Sequence, residues 1–399
     1  MLKNRHIQHL TWLLAGMMIL MLTACSSSDE DNVSGNDADQ KKPAMLAVYV
    51  YAPEPAAGTQ KKVARRRADV GDVDAIYDEG TIKSLQLWIY ESVEPGKSTK
   101  PGEFVGYLET NEVATLNSSQ GATYQIPVSD DFAARKPFVD VFVLANVKPE
   151  NCGVETLDKE TCRDSLLEKA KIIKEKFGLP PLSTLTTAVP AQGLPMSGHM
   201  ITKPVVGEAP ALRVGTMDEV FTVQLTRDVS KLRFVFAKTT GQPKVSITSI
   251  KIKKDMIPDE EYMFKTPEIM TYNEAEAELL PTPIDGEEGI ASTANPLDFL
   301  YFDQEAQTYE NLINGAGLTV HGPIYLRGSD KQLSGTISYS INNVAQEPVE
   351  FQMQQAGDFK RNHTWIVYAY YAGAGRLQVQ SLYVKDWSGK EKSHSFYNW

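Results

Sequence analysis

Strand-length apolar runs recur through this chain at short, even intervals, and that rhythm leaves few folds open to it. Toward the C-terminus, residues 318–326, 334–341, 348–354, 364–371 and 377–387 are rich in β-branched and aromatic residues, with turn residues between them. Strands roughly ten residues apart and separated by turns are the pattern of an antiparallel sandwich. Nowhere does the chain alternate strand and helix as a parallel sheet requires. Upstream, 82–90 reads Ile-Lys-Ser-Leu-Gln-Leu-Trp-Ile-Tyr, and 104–108 and 123–128 are shorter strand candidates. The run 138–147, apolar apart from Asp140 and Asn146, predicts a strand buried on both faces. In 231–237, Leu232, Phe234 and Phe236 alternate with Arg233 and Val235; in 245–252 the alternation slips phase near the end. Residues 255–317 are acidic and irregular and predict long loops. The Gly-Ala-Gly at 373–375 lacks the third glycine and following helix of a phosphate cradle, so it is read as a hairpin turn.

One helix is expected. Thr161-x-x-Asp164 resembles a capping box with Asp in place of the usual Glu. Leu166, Leu167, Ala170, Ile173 and Phe177 then share a face, until Gly178 and Pro180-Pro181 stop it. Residues 180–210 are rich in Pro, Gly, Thr and Ser and form the best inter-domain candidate. The fold class expected is mainly β: two tandem antiparallel β-sandwich domains of transthyretin-like or Greek-key type, with one helix in the first. The divisions are 1–25, 26–67, 68–208 and 209–399, with a second-domain strand at 220–225.

Residues 1–25 read as a lipoprotein export signal. Lys3 and Arg5 give the positive start, and 10–22 is an apolar stretch too short to span a bilayer. Leu22-Thr23-Ala24-Cys25 is a lipobox that makes Cys25 the lipidated residue. The acidic, polar stretch after it reads as a disordered tether. One apolar strand follows, 44–51, and then Lys61-Lys62 and Arg65-Arg66-Arg67. An exposed basic loop of this kind is what a trypsin-like protease cuts. Export signal, early strand and protease site in this order look built to lose that strand, and a sandwich that loses a strand opens a groove.

The remaining composition excludes more than it selects. Net charge is −11 with both signs interspersed, so there is no basic stripe for nucleic acid. Of three cysteines, Cys152 and Cys162 sit close together in an oxidising compartment and are a candidate disulfide. The six histidines are scattered, and none has a second ligand at metal-binding spacing. Ser197 beside His199 is not a triad, and no G-x-S-x-G elbow occurs. Asp259-Glu260-Glu261 is a carboxylate cluster, more simply a solvated loop than glycosidase machinery. No cofactor, metal or enzymatic activity is expected. The aromatics Trp365, Tyr368, Tyr370, Tyr371, Tyr383 and Trp387 are read as core and cross-strand pairs before a glycan platform.

The order of these features resembles the fimbrillins of Bacteroidetes, the subunits of type V pili. The resemblance rests on the lipobox, the acidic tether, the strand Met45-Leu46-Ala47-Val48-Tyr49-Val50, the basic site before Ala68, and Ile82-x-x-Leu85-x-Leu87-x-Ile89-Tyr90. It continues through Pro195-Met196-Ser197-Gly198, Val223-Gln224-Leu225-Thr226-Arg227, Arg361-Asn362-His363 and the Leu377-x-Val379-Gln380, Val384-x-x-Trp387 and Trp399 end. It implies a lipid-anchored outer-membrane precursor cut between Arg67 and Ala68 by an Arg-specific protease. The first strand departs, and a strand from another subunit fills the groove. The segment 381–399 is the implied donor, with Leu382, Val384, Trp387, Phe396, Tyr397 and Trp399 as anchors. Its polar stretch 388–395 departs from a good donor and leaves a tip or accessory subunit open beside a shaft subunit. Implied partners are other fimbrial subunits and a host protein or glycan receptor. A surface glycan-binding lipoprotein that keeps its lipid is the alternative from another class, and a secreted hydrolase a third.

Overall fold

The computed structural model describes residues 43–52, 82–111, 121–173, 193–206, 220–265, 269–272, 274–280, 283–284, 289–293, 300–303, 308–311, 319–353, 356–357, 359–373, 375–386 and 391–392. The segment from Pro43 onward forms one compact unit. It is mainly β.

The first strand, β1 (Ala44–Tyr51), alternates as its sequence dictates. Ala44, Leu46, Val48 and Val50 are buried, while Met45, Tyr49 and Tyr51 on the other side are partly exposed. It lies at the centre of a three-stranded sheet, between β4 (Ala122–Val128) and β8 (Phe221–Gln224). A second sheet of five strands packs beneath it. Its order is β3 (Phe104–Thr110), β2 (Leu85–Glu91), β5 (Phe138–Ala145), β7 (Met196–Pro204), β9 (Thr226–Arg227). One apolar cluster joins the two sheets: Leu46, Val48 and Val50 from above, and Leu85, Leu87, Ile89, Val139, Val141 and Val143 from below.

The lower sheet is covered on its far side too. Trp88, Tyr90, Phe142 and Leu144 pack there with Leu166, Met263, Phe264 and Tyr325. This two-sided burial is why 138–147 is apolar apart from Asp140, which pairs with Arg163 at 2.7 Å, and Asn146. Gly198 in β7 permits the close approach of the two sheets at their corner: a Cβ there would lie 2.4 Å from the Gln224 carbonyl oxygen.

The C-terminal part is a second pair of sheets around its own core. β10 (Ser230–Thr239) runs between Thr319–Leu326, antiparallel, and His363–Tyr371, parallel; His363–Tyr371 pairs in turn with Gln378–Asp386. The facing sheet centres on β11 (Val245–Ile252) and Ser334–Ile341. Leu232, Phe234 and Phe236 enter the core with Val245, Ile247, Ile250 and Ile252. The phase slip in β11 is a bulge between Ile247 and Ser249. Gly373 and Gly375 have φ of 86° and 74° in the hairpin joining its flanking strands. A two-stranded sheet of Lys171–Ile173 (β6) and Glu260–Tyr262 (β12) ties the two parts together.

Several expectations are corrected. The described residues hold three helices rather than one: Asp130–Arg135, Pro149–Cys152 and Arg163–Lys169. The last is shorter than its periodicity suggests, because Ala170 turns extended and 171–173 pairs with β12. Cys162, not Thr161, stands at its N-cap; the Thr161 hydroxyl donates to the Thr156 carbonyl instead. Phe177 lies outside the described residues. The strands 221–224 and 226–227, expected to begin the second domain, pair with β1 and β7 and complete the first sandwich.

No disulfide joins Cys152 and Cys162. Cys152 is buried with its Sγ 3.9 Å from the Pro149 carbonyl, while Cys162 is exposed and its thiol lies 3.1 Å from the Ser165 hydroxyl. One thiol belongs to the core and the other to a helix start.

Candidate functional site

The site is the slot that β1 occupies. Against β4 the strand runs antiparallel from Ala44 opposite Val128 to Val50 opposite Ala122. Against β8 it runs parallel, from Val48 beside Phe221 to Tyr51 beside Gln224. The walls contribute Ile126, Val128, Phe221 and Val223, all buried. On the outer face Tyr49 and Tyr51 stack with ring centroids 5.9 Å apart. The Gly121 N–H donates to the Tyr49 hydroxyl at 3.0 Å, and the Tyr51 hydroxyl donates to Gln224 Oε1 at 3.1 Å. Burial also pushes the Tyr124 hydroxyl pKa above its usual value.

Burying Leu46, Val48 and Val50 stabilises the sandwich by about 5–9 kcal/mol in total, at roughly 1.5–3 kcal/mol each. That is comparable to the whole net stability of an ordinary domain, about 5–15 kcal/mol. An emptied slot would leave two rows of unpaired backbone groups and an open core. The covalent route from β1 to its sheet partners runs only through 53–81, the segment that contains the tribasic run. A single cut there leaves β1 held by non-covalent contacts alone.

Cys25, Arg67, Ala68, Trp387, Phe396, Tyr397 and Trp399 lie outside the described residues. Leu382 and Val384 lie in Gln378–Asp386, which pairs with His363–Tyr371 on one edge and, at Val384 and Lys385, with Glu391–Lys392 on the other. These two expected anchors are therefore already part of the chain's own C-terminal sheet. The sequence did not reveal the parallel β1–β8 pair. Its one trace is the apolar alternation Phe221-x-Val223-x-Leu225.

A second constellation brings together three of the short motifs. The Ser197 hydroxyl donates to Asp228 Oδ1 at 2.6 Å. Arg361 Nη1 reaches the same oxygen at 3.1 Å and the Met263 carbonyl at 2.7 Å. The Gly328 N–H donates to the Glu261 carboxylate at 2.8 Å, and Arg327 Nε donates to the Pro258 carbonyl at 2.5 Å. Asn362, at φ 62°, turns the chain into the strand that begins at His363, and its N–H donates to the Val229 carbonyl at 2.8 Å. This node joins the two sandwiches. Burial pushes the Asp228 carboxyl up to about 7, outweighing Arg361, and raises Glu261 for the same reason.

A buried acid that holds its proton to higher pH when folded contributes full stability below its unfolded pKa, near 3.8, and loses that contribution as pH rises through about 7. The thermal midpoint of the folded body should fall between pH 5 and pH 8, and Asp228→Asn should shrink that fall. An unchanged pH profile in the variant would remove Asp228 as its source.

None of this resembles a catalytic centre. Glu260 pairs with Lys171 at 2.5 Å while Glu261 is buried against Gly328, so the carboxylate cluster is divided between structural roles. His199 packs on Phe142 and Phe264, and burial together with the nearby Arg361 lowers its pKa. Trp365, Tyr368, Tyr370 and Tyr371 are buried and offer no glycan platform. Among the described residues no three His, Cys, Asp or Glu side chains gather as metal ligands, and no helix is long and apolar enough to cross a membrane.

No family model and no curated protein matches the chain. Several solved structures are similar to it. A candidate cell adhesion protein from Parabacteroides distasonis aligns with a TM-score of 0.49 and 14% identity, over 88% of this chain and 99% of that one. The tip fimbrial protein of Porphyromonas gingivalis, with its C-terminus truncated, gives 0.45 and 11%, over 87% and 100%. The fimbrial anchor protein of Porphyromonas gingivalis gives 0.39 and 9%, over 87% and 98%.

Proposed function

We propose that this chain is a non-enzymatic structural subunit of a cell-surface fimbria and supports adhesion. It is exported as a lipoprotein, lipidated at Cys25 and held at the outer membrane with β1 in its slot. An Arg-specific protease cuts after Arg67, and the mature chain begins at Ala68. β1 departs with the lipid, and a strand from another subunit enters between β4 and β8 by β-augmentation. The contact is heterologous, so it propagates as a filament rather than closing. The observation that carries this reading is the place of β1: central in its sheet, yet joined to it only through the tribasic segment.

The mature chain is then two sandwiches, with 221–227 belonging to the first. The donor segment is 381–399. Because Gln378–Asp386 is paired along one edge with His363–Tyr371 and at Val384 and Lys385 on the other, donation from Leu382 and Val384 requires that strand to come away, and Trp387, Phe396, Tyr397 and Trp399 are the further anchors. A shaft position requires such donation; a tip position does not. Gold-labelled antibody against the mature chain should decorate filaments along their length. Label confined to filament ends would make the chain a tip subunit, and filaments without label would contradict the proposal. A host protein or glycan is the expected receptor class for the assembled fimbria.

A further inference from the structure

Two tyrosines of β1 stand on the outer face of the slot, and each meets a group of fixed polarity. The Gly121 N–H donates to the Tyr49 hydroxyl, so the place of Tyr49 calls for an acceptor. Gln224 Oε1 accepts from the Tyr51 hydroxyl, so the place of Tyr51 calls for a donor. The first place is tight: a Cβ on Gly121 would lie 2.5 Å from the Tyr49 ring and 2.5 Å from the Val50 carbonyl oxygen. Val48 and Val50, on the inner face, are fully buried. Positions 48–50 are flanked by β4 on one side and β8 on the other. From 48 to 51 the slot therefore asks for an aliphatic residue, a long acceptor, a second aliphatic residue and a donor.

Resting on the strand-exchange reading above, we propose that residues 381–385 of a second copy of this chain fill positions 47–51, with Tyr383 in the place of Tyr49. Residue for residue, Ala47-Val48-Tyr49-Val50-Tyr51 is replaced by Ser381-Leu382-Tyr383-Val384-Lys385. Ser381 is small like Ala47, Leu382 adds one methylene to Val48, and Val384 repeats Val50. The Tyr383 hydroxyl accepts from Gly121, and the Lys385 ammonium donates to Gln224. Within 377–399, Tyr383 is the one tyrosine with an aliphatic residue on each side. A similar run, Val367-Tyr368-Ala369, belongs to His363–Tyr371, which is paired on both edges inside the C-terminal sheet and is not free to be donated.

The chemistry of the slot also decides the register. Sliding the donor by two residues sets Leu382-x-Val384 over Leu46-x-Val48, an equally apolar match. It also carries Asp386 into the buried place of Val50 and turns Lys385, which can only donate, toward the Gly121 N–H. In the register proposed the misfit is milder, with Gln380 in the place of Leu46. A buried amide costs far less than a buried carboxylate. The exchanged strand is held less tightly than β1, and position 380 is where its affinity can be raised.

The test uses the full chain with Gln125→Cys and Cys162→Ala, cut at the tribasic site, then unfolded and refolded in an excess of synthetic peptide spanning 377–387 and oxidised. Gln125 lies opposite position 47. A peptide carrying Ser381→Cys should crosslink at least about tenfold more than one carrying Tyr383→Cys, which reports the slid register. With Gln125 restored and the peptide labelled by a fluorophore, Tyr383→Phe should bind about tenfold more weakly, because it leaves the Gly121 N–H unpaired. Gln380→Leu should bind at least about tenfold more tightly. Preferential crosslinking through Tyr383→Cys, or unchanged affinity in either variant, would overturn the register. A peptide spanning 43–52 with Ala47→Cys is the reference. If it crosslinks and no 377–387 peptide does, the tail is not the occupant, while exchange at the slot stands. If neither crosslinks, the slot is not exchangeable, and both readings fall.

Discussion

Changing Arg65, Arg66 and Arg67 together to Ala should leave the chain at the membrane as an uncut lipoprotein and abolish its incorporation into filaments. The size of the effect follows from competition for one slot. While the segment 53–81 is intact, β1 competes with any incoming strand as part of the same molecule, at an effective concentration on the order of millimolar. Free subunit strands at about micromolar concentration are then at a disadvantage of roughly a thousandfold. Cutting removes that advantage without altering a single contact in the slot. The sequence around Arg65–Arg67 lacks the periodicity of a packed helix or strand, so losing their charge should have little effect on folding, and the uncut protein should keep the thermal midpoint of the wild-type precursor. Filaments of normal number and length from this variant would show that cleavage in the tribasic run is not what opens the slot.

Much of the fold could be read from local sequence. The apolar stretch 44–51 foretold a strand, and the largely apolar run 138–147 foretold one covered on both sides. Even the bulge in β11 left its trace as a phase slip. What could not be read depends on partners far away in the chain. The helix after Cys162 has the right spacing to continue through Ile173, but pairing of 171–173 with 260–262 overrides that propensity. The pairing of β1 with β8 spans some 170 residues, and nothing local encodes it. Asp228 and Glu261 read as ordinary loop acids, because burial is a property of the assembled junction and not of the sequence around them. The candidate site was legible as a processing layout, a strand before a basic run. Its geometry, a strand enclosed on both edges, was not.

The departure of β1 can be blocked without touching the cut. Ala47 and Gln125 lie directly opposite each other in the β1–β4 register, on the face turned away from the core. Opposed residues in an antiparallel pair have Cα atoms about 4.5–5.5 Å apart, within the range a disulfide bridges. Ala47→Cys with Gln125→Cys, in a Cys162→Ala background that removes the exposed native thiol, should therefore staple β1 to β4 on oxidation. The protease site is unaltered, so cleavage should proceed as in wild type. The decisive measurement is the size of this cut, stapled protein before and after reduction, by light scattering and by electron microscopy. Oxidised, it should remain monomeric with β1 bound; on adding reductant it should lose the strand and assemble. Filaments forming at the wild-type rate while the crosslink is intact would show that assembly does not pass through the β1 slot.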